Sequence, residues 1–169
     1  LLTGGAGFIG SHVLDLLAPT GVAFTVYDNL SNGKVENLGS HASQTNVAFV
    51  KADILDFDQL VATMRGHDLV WHLAANTDII TSHDQPERDL QACAVGTFNI
   101  VDAMRRTGVR DLIFASTGAV YGNICSEKSV AEDAGPLLPV STYGAGKIAG
   151  EAFISSFCHV YGLRSWIYR

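Results

Sequence analysis

The stretch Leu1-Leu2-Thr3-Gly4-Gly5-Ala6-Gly7-Phe8-Ile9-Gly10 decides the reading of this chain. An apolar strand-like triplet runs into glycines at 4, 7 and 10, and a segment of helical period follows. In such a strand-turn-helix unit one glycine permits the tight turn, another lets backbone N–H groups approach an anion, and the last lets helix pack against sheet. The helix N-terminus then presents unpaired donors and a partial positive charge, which suits a pyrophosphate. Asp28 ends the next strand-like run 18 positions after Gly10, close to the roughly 20 expected of an acid that binds a ribose diol. A carboxylate there repels the extra phosphate of NADP, and no Arg or Lys follows until Lys34. NAD is the expected cofactor.

Working outward, short apolar runs alternate with longer segments of helical period. The strands read over 1–3, 22–27, 47–51, 69–73, 112–116 and 163–168, and the helices over 8–18, 57–65, 88–107 and 142–161. That alternation predicts an α/β fold, a doubly wound parallel sheet of Rossmann type with helices on both faces. Two long polar connections, 28–46 and 117–140, fall at the carboxyl ends of strands, where such sheets bind ligands.

Composition narrows the function classes. The chain has 169 residues, enough for one core without staples, and reads as a single domain over 1–169. A net charge of −6 with scattered Lys and Arg leaves no basic stripe for nucleic acid. No apolar run reaches the roughly 18 to 20 residues a membrane span needs, so no membrane partner is expected. Cys93, Cys125 and Cys158 are odd in number and far apart, which argues for reduced thiols and a cytoplasmic location. The six His form no metal-ligand pair, so no metal is expected. The first residue is Leu and the last residues form an apolar run, so both ends read as truncated.

The spacing GxxGxxG, together with Tyr143-Gly144-Ala145-Gly146-Lys147, is where the chain meets a family. It resembles the extended short-chain dehydrogenase/reductases, specifically the NAD-dependent sugar-nucleotide epimerase/dehydratase group, and within that group the UDP-glucose 4-epimerases. The resemblance rests on TGGAGFIGSH at 3–12, YDNLSNG at 27–33, KADILD at 51–56, HLAA at 72–75, FASTGAVYG at 114–122 and YGAGK at 143–147. It implies that Gly4, Gly7 and Gly10 with the amides of Phe8 and Ile9 hold the pyrophosphate. Asp28, Asn29, Ser31, Asn32 and Gly33 would line the adenosine ribose, Asp53 and Ile54 the adenine, and the stretch Leu73, Ala74, Ala75, Asn76 and Thr77 the middle of the cofactor. The residues leave a second role open for Asp53, that of N-cap to the helix at Phe57.

The chemistry has its own argument in the residues. A Tyr phenol titrates near 10 and is a poor base at neutral pH, but Lys147 at i+4 from Tyr143 lies one helical turn away, where its ammonium stabilises the phenolate. Lowering that midpoint by about three pH units needs about 4 kcal/mol of differential interaction, within reach of two nearby cations in a partly dry site. Tyr143 is the expected proton acceptor and Lys147 its tuner. The resemblance places the third catalytic residue on Thr117, with Ser116 on the nicotinamide ribose side or satisfying a strand end. Tyr143 and Lys147 would also touch the cofactor. Gly118 and Ala119 stand where dehydratases of the family carry acids, so the resemblance implies an epimerase, or a simple sugar-nucleotide dehydrogenase or reductase. A nucleotide-binding module without turnover is the reading from another class, disfavoured by the intact Thr117, Tyr143 and Lys147.

Two departures stand out. Thr77 replaces a cofactor-reaching Lys, and Cys93 replaces an Asn, where packing is expected of it. The resemblance also implies a nucleotide-sugar partner, a UDP-hexose held mainly by a C-terminal domain that would follow the sixth strand, and a homodimer through helices 88–107 and 142–161. Ala92, Val95, Ile100, Ala103, Ala149, Ala152 and Phe153 are suited to that packing or to the chain's own sheet.

Overall fold

The computed structural model describes residues 1–126 and 129–169, without the side chains of 79–81 and 124–126; Cys125 lies outside the described side chains. Six strands form one parallel sheet in the order β3-β2-β1-β4-β5-β6: β1 (Leu2–Thr3), β2 (Phe24–Asp28), β3 (Val47–Lys51), β4 (Leu69–His72), β5 (Asp111–Ala115) and β6 (Arg164–Tyr168). β1 pairs with β2 on one side, Thr3 opposite Tyr27, and with β4 on the other, Thr3 opposite His72. Chain order reverses between β1 and β4, and the crevice beyond their carboxyl ends is where a doubly wound sheet takes a ligand.

The strand residues alternate between two cores because successive side chains point to opposite faces. Leu1, Tyr27, Val70, Leu112 and Phe114 join α2 (Phe57–Met64), α5 (Gly96–Thr107) and α6 (Thr142–Tyr161) in one cluster, with Ile100, Met104 and Ile154 fully buried. Leu2, Val26 and Val47 pack under α1 (Phe8–Leu17) and the 3-10 segment Val35–Ser43, around Leu14 and Leu38. Helices therefore lie on both faces, although the α1 side leaves Trp166 at 48% and Tyr168 at 63% exposure on β6.

The expected elements are present, with ends displaced by a residue or two. The helix expected over 88–107 is composite. It begins as α4 (Glu87–Asp89), passes through a π-helical segment, Leu90–Val95, and continues as α5. α3 (Ile79–Asp84) and the 3-10 segments Val35–Ser43 and Gly118–Ser126 fall in connections that carry no clear helical period. Ile100 and Ala103 face the chain's own core, whereas Phe153 is exposed and meets Phe98 edge to face at 5.3 Å. The Asp that caps α2 is Asp56, whose side chain accepts from the Gln59 amide, so the N-cap alternative for Asp53 fails.

Candidate active site

The turn after β1 is built as the glycine spacing requires. Gly4 sits at φ +69°, and a Cβ there would stand 2.6 Å from the Ala74 backbone nitrogen, so only glycine lets the β1 and β4 loops meet. Its amide bonds the Tyr27 carbonyl at 2.9 Å. α1 has no side-chain cap at Gly7, and the Ser11 amide pairs with the Gly7 carbonyl, so the amides of Phe8, Ile9 and Gly10 precede the first intrahelical bond. Phe8 and Ile9 line the crevice at its open side, at 78% and 59% exposure.

Asp28 locks this turn from below. Its Oδ2 accepts from the Ala6 amide and its Oδ1 from the Leu30 amide, at 2.9 and 2.8 Å. Asp53 is joined to the same end of the crevice, since its Oδ2 accepts from Asn29 Nδ2 at 2.8 Å and its carbonyl accepts from the Tyr27 hydroxyl. Burial and the Asp56 and Asp53 carboxylates push the Tyr27 phenol up to about 12, so that hydroxyl remains a donor.

These elements enclose a cleft of about 840 Å³. Every residue expected at the cofactor from Gly4 to Thr77 lines it, Asn32 and Ile54 included. Asn76, within the expected stretch 73–77, lines it too, while Tyr27, Ala52, Leu55, Arg88, Gln91 and Ala92 line it as well and are not foreseen from the sequence. Arg88, Gln91 and Ala92 are spaced i, i+3, i+4, a helical stripe that the apolar pattern of 88–107 does not advertise. Of the described lining residues, Arg88 is the one Lys or Arg.

Thr117, Tyr143 and Lys147 are brought together in a cluster beside this cleft, outside its lining. Ser141 starts α6 by accepting from the Gly144 amide, and the glycines of the first turns bring the helix close to the π-helical segment: a Cβ on Gly146 would stand 2.8 Å from Cys93 Cβ. Lys147 is 2% exposed and donates to the Ala115 carbonyl at 2.7 Å. Its ammonium lies 4.7 Å from the centre of the Phe114 ring and 6.0 Å from that of Tyr143. Burial brings its titration down to about 8.

The phenol departs from expectation. Burial is the largest influence on Tyr143 and holds it above its usual value, with the Cys93 and Asp89 charges in the same direction and a hydrogen bond from Thr117 opposing them. The protein groups alone therefore do not make Tyr143 a phenolate at neutral pH; the Lys147 ammonium is committed to Ala115 rather than to the phenol oxygen. Of the two roles open to Ser116, the structure favours the strand-end one over the cofactor one. The Ser116 hydroxyl donates to the Glu151 carboxylate, which Arg169 holds at 2.7 Å, so it ties a strand end to α6 and does not line the cleft. Cys93 is buried, as expected, and burial raises its thiol, with the Asn76 main-chain N–H acting in the opposite direction.

His72 links the two regions. Its Nδ1 faces the Thr3 hydroxyl at 2.7 Å and its Nε2 the Thr97 hydroxyl at 3.2 Å, while Thr97 donates to the Cys93 carbonyl. Because Thr97 spends its proton on that carbonyl, the consistent tautomer carries hydrogen on Nε2. Burial and the nearby Lys147 charge bring His72 down to about 3, so it stays neutral.

The family model described as GDP-mannose 4,6 dehydratase matches residues 1–169. A UDP-glucose 4-epimerase of Mycolicibacterium smegmatis is 39% identical over 166 residues, 96% of this chain and 52% of that protein. Among solved structures, the Thermus thermophilus UDP-glucose 4-epimerase in complex with NAD superposes with a TM-score of 0.89 at 37% identity, covering 99% of this chain and 53% of that one. The dTDP-glucose 4,6-dehydratase DesIV of Streptomyces venezuelae, with NAD bound, gives 0.91 at 29% identity over 98% and 53%. The chain spans about half the length of the curated relatives it matches.

Proposed function

The chain belongs to the NAD-dependent epimerase/dehydratase family, and on that premise we propose that it is the cofactor-binding and catalytic half of a sugar-nucleotide epimerase that interconverts UDP-glucose and UDP-galactose. One observation carries the reading: a cleft at the sheet's switch point, walled by the Gly4–Gly10 turn and Asp28, adjoins a cluster of Thr117, Tyr143 and Lys147. The cleft has the parts that NAD needs: main-chain donors at a helix N-terminus for its diphosphate and a carboxylate for its ribose.

NAD, when bound, supplies a hydride acceptor that can return what it takes. The chain does the rest. Tyr143 takes the proton of the sugar C4 hydroxyl, Thr117 bonds the same oxygen and orients it, and Lys147 stabilises the phenolate once formed. Since burial holds the phenol up, the tuning that the mechanism needs comes from the positive nicotinamide ring added to Lys147. Gly118 and Ala119 follow Thr117 and carry no acid that could eliminate water, which favours reversible oxidation over dehydration. A homodimer through α5 and α6 fits the exposed Phe98, Phe153 and Val160 on those helices. A cytoplasmic location fits the unpaired Cys93 and Cys158; no helix among the described residues is long and apolar enough to cross a membrane.

The test is incubation with NAD and UDP-galactose of a protein of the relatives' full length that contains this chain, the 169 residues alone being expected to turn over little. Appearance of UDP-glucose without net reduced nicotinamide is the expected result, with Tyr143→Phe lowering turnover at least about a hundredfold. Sustained reduction of NAD would make it a dehydrogenase, and NAD binding without turnover a binding module.

A further inference from the structure

Asp89 ends α4, is fully buried, and plays no part in the mechanism above. Its Oδ1 accepts from Asn76 Nδ2 at 2.8 Å and lies 3.0 Å from Ser82 Oγ, and its Oδ2 accepts from the Thr142 hydroxyl at 2.6 Å. The three donors come from separate places. Asn76 is in the loop after β4 and lines the cleft, Ser82 is in α3, and Thr142 opens α6 beside Tyr143.

A carboxylate out of water is tolerated when donors surround it, and charge-assisted bonds to it are stronger and more directional than neutral ones. Here those bonds join a wall of the cleft to the helix that carries Tyr143. The same two parts are joined a second time, one turn on. The Asn76 main-chain N–H acts on the Cys93 thiol, and Gly146 lets α6 rest on Cys93 and on the Asp89 carbonyl, 3.0 Å from where a Cβ would stand.

Resting on the function proposed above, we infer that Asp89 is a positioning residue: it fixes the Asn76–Thr77 wall of the cleft relative to the first turn of α6, so that the cofactor and the Tyr143 hydroxyl sit in register. Its charge has a separate effect. The groups that face the phenol are Asp89 and Cys93 from the composite helix, Thr117 from the end of β5 and Lys147 from α6 itself. Asp89 is an anion among them, so it helps to keep the phenol protonated until a cation arrives.

Three variants separate position from charge. Thr142→Val cuts the tie to α6 without touching the cleft lining, Asp89→Ala cuts all the ties, and Asp89→Asn keeps the shape and an acceptor oxygen but removes the charge. NAD affinity is measured by calorimetry, and the Tyr143 ionisation midpoint by ultraviolet difference absorbance against Tyr143→Phe. The expected result is a loss of NAD affinity of about fivefold for Thr142→Val and tenfold or more for Asp89→Ala, with Asp89→Asn within about threefold of wild type but with a lowered Tyr143 midpoint. Folded Thr142→Val and Asp89→Ala proteins that bind NAD like wild type would overturn the inference; if Asp89→Ala does not fold, Thr142→Val alone decides. Wild-type protein that does not bind NAD would sink the proposed function instead, and a Tyr143 midpoint then unmoved in Asp89→Asn and Thr142→Val would overturn this inference too.

Discussion

The Nζ of Lys147 lies 2.7 Å from the carbonyl oxygen of Ala115, the last residue of β5. The bond places an ammonium at the strand end from which Thr117 follows, with the Phe114 ring beneath it. It also keeps a cation almost wholly out of water.

That burial has a cost that a substitution can expose. Lys147 titrates near 8 in the fold, against 10.5 for the free side chain, so its charge opposes folding at every pH below about 8 and the penalty fades as pH rises from 8 to 10.5. The difference corresponds to about 3 kcal/mol, from which the Ala115 bond returns about 1. Lys147→Met is expected to raise stability at pH 7 on the order of 1 to 2 kcal/mol while abolishing turnover. Urea denaturation at pH 7 and pH 10 checks this, the gain shrinking at the higher pH.

His72 gives the opposite limb. Its midpoint in the fold, about 3, lies below that of an unfolded histidine near 6.5, so between these values the unfolded chain binds the extra proton and stability falls as pH falls. The slope from this residue approaches about 1.4 kcal/mol per pH unit below 6. His67, also lowered by burial, adds in the same direction. Denaturation midpoints from pH 7 to pH 5 should show a shallower decline in His72→Gln than in wild type.

Gly146→Ala tests the close approach of α6 to the composite helix. The new methyl would meet Cys93 Cβ at 2.8 Å and the Asp89 carbonyl at 3.0 Å, and neither is the free end of a flexible chain. A loss of about 1 to 3 kcal/mol in chemical denaturation is expected, despite the better helix propensity of Ala.

Asp28→Ala should lose NAD affinity and stability together. The carboxylate accepts from both the Ala6 and Leu30 amides, and leaving these without it costs about 1 to 3 kcal/mol. Calorimetry is expected to show at least tenfold weaker binding. Asp28→Asn, which keeps one acceptor, should recover part of the stability but less of the affinity.

Much of the cleft is legible in the chain because its parts are local. Gly4, Gly7 and Gly10 act through backbone over ten residues, and Asp28 stands at a spacing set by one strand-helix-strand unit. The ties around Asp89 are not local. Asn76, Ser82, Asp89 and Thr142 span 67 positions and meet only when α4 docks against α6. Even so, Asp89, Cys93 and Thr97 fall on one buried stripe of a helix, and polar side chains facing inward there are a signal that composition alone hides. The i+4 spacing misjudges the Tyr143 midpoint because the Lys147 ammonium has a nearer partner in the strand, and burial outweighs a charge held 6.0 Å from the ring.

The π-helical segment Leu90–Val95 has a consequence for the helix in which it lies. A wider turn resets the rotational phase of everything downstream. Arg88 just upstream, with Gln91 and Ala92 in the segment's first turn, addresses the cleft, and downstream Ile100 and Met104 address the sheet. One continuous rod thereby serves two masters at different bearings. Deleting a single residue within the segment would restore an even winding and make the two halves compete for one orientation, so this helix should tolerate side-chain exchange far better than any change in its length.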